Sequence, residues 1–168
     1  MNRTYLLCTG VLFFAGMACA ESPFIAPAKA DYETIKTNIL KAAEKMPDSA
    51  YSFQATPDVR TWAALMGHIA DAQTRICSAA AGETKPANAG KLTSKAELVN
   101  ALKASNEVCD AVWAATTEAN ASTSVKRGNR ELTRLNLLIY NTQHDNESYG
   151  TMAVYLRLKG IVPPSSEK

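Results

Sequence analysis

Apolar residues recur every three to four positions along most of this chain, with charged residues between them, and no run alternates as a strand would. Four segments carry that helical period. In the first, from about Ala28 to Met46, Ile35, Ile39, Leu40, Ala43 and Met46 form the stripe, and Pro47-Asp48 stops it. The second runs from about Thr61 to Ala81, with Trp62, Leu65, Ile69, Ala72, Ile76 and Ala80 on one face and Gly82 as its stop. The third opens on the capping box Ser94-Lys95-Ala96-Glu97 and continues through Leu98, Leu102, Val108, Val112 and Trp113 to about Thr117. The fourth spans about Glu131 to Lys159, ended by Gly160 and then Pro163-Pro164.

The connections between these segments are polar. "DSAYSFQATPDVR" brings Tyr51 and Phe53 to pack on a bundle end, and "GETKPANAGKLT" and "EANASTSVKRGN" are read as loops. Four long helices in one short chain predict an all-α fold, a four-helix bundle. Trp62 and Trp113 fall on apolar stripes and read as packing groups.

The first twenty residues, "MNRTYLLCTGVLFFAGMACA", do not belong to that fold. Arg3, the apolar stretch Tyr5 to Met17, and the small residues Ala18 and Ala20 have the layout of a signal peptide. The stretch is short for a membrane span, which needs about 20 apolar residues. The expectation is an exported protein, periplasmic or secreted, with a single domain over 21–168. Lipid anchoring through Cys19 is disfavoured, because Gly16 stands three residues before it, where a leucine-like residue is the rule.

Export changes the meaning of composition. Without that segment, 17 basic and 16 acidic residues remain, a balance without the basic excess of a nucleic-acid binder. The first helix is too lightly charged with Lys and Arg to bind a membrane surface. Two cysteines remain, Cys77 and Cys109, in a compartment that permits disulfides.

Only two histidines occur, His68 in the second helix and His144 in the fourth. Mid-helix histidines on facing helices are how bundles build interior metal sites, although a lone histidine near an apolar stripe more often packs as a boundary residue. In "NTQHDNESYGTMAVYLRLKG", Asn141, His144, Ser148 and Thr151 share one helical face. Asp145 and Glu147 are expected to point elsewhere, solvated or bonded to neighbouring helices. Asp71 follows His68 by one turn and has two readings: an outer acceptor for an imidazole, or an ion pair with Arg75.

"DVRTWAALMGHIADAQ" and "HDNESYGTMAVYLRLKGIVPP" together resemble the DinB-like superfamily, over about Asp31 to Pro164, with its secreted members the most similar. The resemblance implies a four-helix bundle in an up-down-down-up arrangement. It also implies a divalent metal ion (Zn, Ni or Fe) held by three histidines, one from the second helix and two on the fourth, four residues apart. His68 and His144 match two of these, so the two rings are expected to meet. Ser148 stands at the third position, and a hydroxyl is a poor ligand for such ions. A weakly held or absent metal is therefore the expectation, with Asn141 and Asp71 as supporting residues.

The cysteines test the topology. Counted from Thr61 and Ser94, Cys77 and Cys109 lie 16 and 15 residues into their helices, at nearly equal height if those helices run parallel. An antiparallel pair would displace them by roughly 15 Å, beyond disulfide reach. A Cys77–Cys109 bridge is predicted, the alternative being two buried free thiols.

Two functions remain open. One is a metal-dependent hydrolase or transferase using a metal-activated water or thiol on a small-molecule substrate. The other is a non-catalytic bundle with a degenerate two-histidine site, its polar stripe satisfied across the interior. Homodimers occur among such bundles, and no sequence feature selects one here.

Overall fold

A computed structural model describes residues 23–167. The signal peptide and the Cys19 question lie outside the described residues. Four long helices form the body: α1 (Ile25–Lys45), α2 (Trp62–Ala80), α3 (Lys95–Ala115) and, after a one-turn helix α4 (Glu118–Ala121) and a hairpin, α5 (Arg134–Leu158). Their starts follow local chemistry. Thr61 caps α2 by accepting from the Ala64 N–H at 3.1 Å, and the Thr133 hydroxyl accepts from the Asn136 N–H at 3.2 Å to cap α5. Ser94 caps α3 through the Glu97 N–H, as the capping box predicts.

The segment before α5 corrects the sequence reading. "EANASTSVKRGN" is not plain loop, and the last helix starts at Arg134 rather than Glu131. Strands β1 (Ser124–Arg127) and β2 (Arg130–Thr133) pair antiparallel, Val125 opposite Leu132. Gly128, at φ 59°, takes the first turn position, where a two-residue hairpin needs positive φ. Four-residue strands are too short to show an alternating period. The Gly-Asn pair between them was the available signal.

The buried residues fall into two apolar clusters. One gathers Ile39, Met46, Trp62, Met66, Leu98 and Leu156. Tyr51 and Phe53 pack there as expected: Tyr51 donates to the Ala43 carbonyl at 2.7 Å, and Phe53 meets the Tyr155 ring edge-on at 5.6 Å. Burial pushes the Tyr51 hydroxyl up to about 12. The second cluster gathers Tyr32, Ile76, Trp113, Leu137 and Leu138 around the two cysteines. Both tryptophans are packing groups, as predicted.

Cys77 and Cys109 form a disulfide, with Cα atoms 5.1 Å apart. One turn back on each helix, Ser105 donates to Gln73 Oε1 at 2.5 Å, so these tie points advance together along α2 and α3. Contacts of α2 with α5 run in the opposite sense: Trp62 lies against Tyr155, and Arg134 reaches the Ala80 carbonyl. On the far side, the Tyr32 hydroxyl and Lys36 ammonium of α1 both donate to Asp110 of α3, at 2.7 and 2.8 Å.

Candidate functional site

Between the two apolar clusters lies a layer of buried polar side chains: Gln73 from α2, Ser105 and Asn106 from α3, and Asn141, Asp145 and Ser148 from α5. It exists because α5 carries Leu138, Asn141, Asp145, Ser148 and Met152 at successive spacings of three and four, a single core-facing stripe with polar residues at its centre.

Beside this layer, His68 and His144 meet. Their Nε2 atoms stand 3.0 Å apart and their ring centroids 5.0 Å apart. Burial first, then the positive charge of Arg60 and the nearness of the His144 ring, hold His68 below the usual imidazole range. A neutral ring keeps a lone pair for a proton or a metal ion.

Asp145 does not point away from this face, although it is bonded to a neighbouring helix, one of its two expected situations. It is fully buried, and its Oδ2 accepts from Gln73 Nε2 and Asn141 Nδ2, both at 2.9 Å. Its Oδ1 lies 3.7 Å from His144 Nδ1, and neither of those two atoms has a hydrogen-bond partner among the described residues. Burial raises the carboxyl above its ordinary range, against the pull of His144, Gln73 and Asn141. Asn141 therefore supports the site through Asp145. Glu147 and Thr151 are exposed.

Asp71 has another task. Its Oδ1 and Oδ2 accept from the Ala89 and Gly90 N–H groups at 2.7 and 3.1 Å, and Arg75 stands 3.9 Å away. The carboxylate clamps the segment between α2 and α3, leaving Asp145 as the acid facing an imidazole. Ser148 is 7% exposed, and its hydroxyl bonds no other described residue.

Two imidazole nitrogens bound to one divalent ion at about 2.0–2.1 Å are separated by about 3.0–3.4 Å, so the observed 3.0 Å fits two ligands of a single ion. It equally fits one ring donating N–H to the other. A three-ligand set is lacking: among the described residues, no three or more His, Cys, Asp or Glu side chains group so as to hold a metal ion. Gln73, Ser105 and the burial of Asp145 escaped the sequence reading. The three-four spacing around Asp145 was the signal that could have found it.

The fold and site define a helical bundle with paired, half-buried imidazoles. The chain belongs to the DinB superfamily, which residues 31–152 match. Among solved structures it is similar to a DinB-like protein from Bacillus cereus, at 19% identity and a TM-score of 0.73, covering 83% of this chain and 95% of that one. It is also similar to a mutant of a mycothiol-dependent maleylpyruvate isomerase, at 13% identity and a TM-score of 0.66. That likeness covers 76% of this chain and 60% of the other. No curated protein matches. Among the described residues, no helix is long and apolar enough to cross a membrane.

Proposed function

We propose that this chain is an exported up-down-down-up bundle whose two-histidine site takes up a divalent metal ion weakly and exchangeably, as a non-catalytic binding module. The observation that carries the reading is the 3.0 Å approach of His68 Nε2 to His144 Nε2, with a serine at the remaining ligand position. The tie points at Cys77–Cys109 and Gln73–Ser105 support the parallel course of α2 and α3.

His68 and His144 would hold the ion, and waters would complete its shell. A bound divalent ion supplies Lewis acidity, lowering the pKa of a water or thiol beside it. The chain's own residues prepare the place. Gln73 and Asn141 fix the Asp145 carboxylate, which faces His144 Nδ1 and favours the ring orientation that turns Nε2 toward His68. The close approach of the two imidazole nitrogens also favours a second reading, an active metal-dependent hydrolase or transferase acting on a small molecule.

Metal analysis of the purified protein after dialysis separates the two, with Ser148→His alongside. The proposal expects wild type to lose its ion and the variant to retain a stoichiometric one. Retention by wild type would overturn it and favour the enzyme.

A further inference from the structure

The segment joining α2 to α3 does more than connect them. It turns back along the outside of the seam between the two helices and is pinned at two places. At one, the Glu83 N–H donates to the Ser78 carbonyl at 2.8 Å. At the other, Asp71 clamps the Ala89 and Gly90 N–H groups, and Gly67 lets the strap come close: a Cβ there would stand 2.6 Å from the Ala89 oxygen. Between the pins, residues 84–87 donate no hydrogen bond to either helix.

Beneath this unpinned stretch the helices present small side chains, and a space is left. An open groove of about 520 Å³ lies along the strap, floored by Ala70, Ala101, Ala104 and Val108. A smaller one of about 210 Å³, lined by Ala111, Val112 and Ala115, adjoins it at Lys85 and Val108. The larger falls in the size range of small-molecule sites, roughly 300–1,000 Å³.

Charge says which end is which. The smaller chamber is lined by two cations, Lys85 and Arg134, and one acid, Glu83, so it keeps a net positive charge. Arg134 donates its Nε to the Ala80 carbonyl and has no carboxylate partner among the described residues. Among the described residues, Lys85 is paired with Glu83 alone, at 3.8 Å and with Glu83 60% exposed. Asp71, the acid of the larger chamber, is already committed to two backbone N–H groups.

We infer that this groove binds a single-chain amphipathic anion of the fatty-acid class, its carboxylate between Lys85 and Arg134 and its tail on the alanine floor under the strap. The site is separate from the paired imidazoles and independent of any metal there.

Titration calorimetry of the purified protein with dodecanoate tests it. Saturable binding of one molecule per chain is expected, weakening about fourfold for each methylene removed. Dodecanol should bind about tenfold more weakly, having lost a hydrogen bond to a charged group. Ala104→Trp, at an exposed position of α3, should block the floor and abolish binding with the helical circular dichroism intact. Lys85→Gln, on the exposed strap, should weaken dodecanoate severalfold, Arg134 keeping part of its preference over the alcohol, and should leave dodecanol unchanged. Absence of saturable binding, unchanged affinity in Ala104→Trp, or equal binding of dodecanol would each overturn the inference.

Discussion

Trp62, Met66 and Leu98 are fully buried in one apolar cluster, and Gln73, Asn141 and Asp145 are just as fully buried a few turns away. In the first region each side chain is stabilised by area removed from water, about 1.5–3 kcal/mol apiece, and its neighbours are interchangeable in kind. In the second, the hydrogen-bonded groups depend on particular partners: Ser105 on Gln73, Gln73 and Asn141 on Asp145. The difference teaches where specificity resides in this bundle. Apolar ends hold the helices together, and a polar waist decides which rotation of α5 is acceptable, since a slip would strand a buried carboxyl without donors.

The largest test addresses the apolar side. Trp62→Ala removes a side chain with no exposure and is expected to cost about 3–5 kcal/mol, read as a lowered urea midpoint. A loss under about 1 kcal/mol would mean that this end is loosely packed and would break the contrast.

Next comes the cross-link of the second cluster. Replacing Cys77 and Cys109 by serine opens a loop whose ends are 32 residues apart and is expected to cost about 3–4 kcal/mol, measured by denaturation beside the reduced wild type. Reduced wild type should be destabilised by a similar amount, because the same constraint on the unfolded chain is lost.

The waist is tested by Asp145→Ala. Gln73 Nε2 and Asn141 Nδ2 then lose their acceptor, for an expected cost of about 2–3 kcal/mol, although few carbon contacts are removed. Asp145→Asn keeps an oxygen for both donors and should recover most of that stability. Equal losses in the two variants would show that packing, not hydrogen bonding, maintains this layer.

The smallest effect is pH dependence beside the waist. His68 titrates below its ordinary value of 6.5 in the folded protein, so the unfolded chain takes up the proton first as pH falls. Metal-free protein should therefore lose stability as pH drops below about 6.5, and His68→Asn should flatten that slope. Denaturation midpoints between pH 5 and pH 8 report it, and an unchanged slope in the variant would remove His68 from the account.

Much of this architecture could be read locally. The stripe through Trp62, Leu65, Ile69 and Ile76, the caps at Thr61 and Ser94, and the stop at Pro47 are near-neighbour chemistry, recoverable from the order of residues. The matching heights of Cys77 and Cys109 also followed from counting. The hairpin at Gly128-Asn129 did not, because its strands are shorter than the period that would identify them.

By itself the sequence determined the helical class and most helix ends, which rest on spacing along single rods, and it made the disulfide reachable if two rods run parallel; the approach of the two histidines was implied by the family resemblance. Tertiary structure alone decided that Asp145 faces inward, that Gln73 is its partner from 72 positions away, and that Asp71 serves the strap instead of an imidazole. The reason is physical: a polar side chain on a helix is at ease in water, and in the core only when it is hydrogen-bonded. Which it occupies depends on whether another helix brings a partner to it.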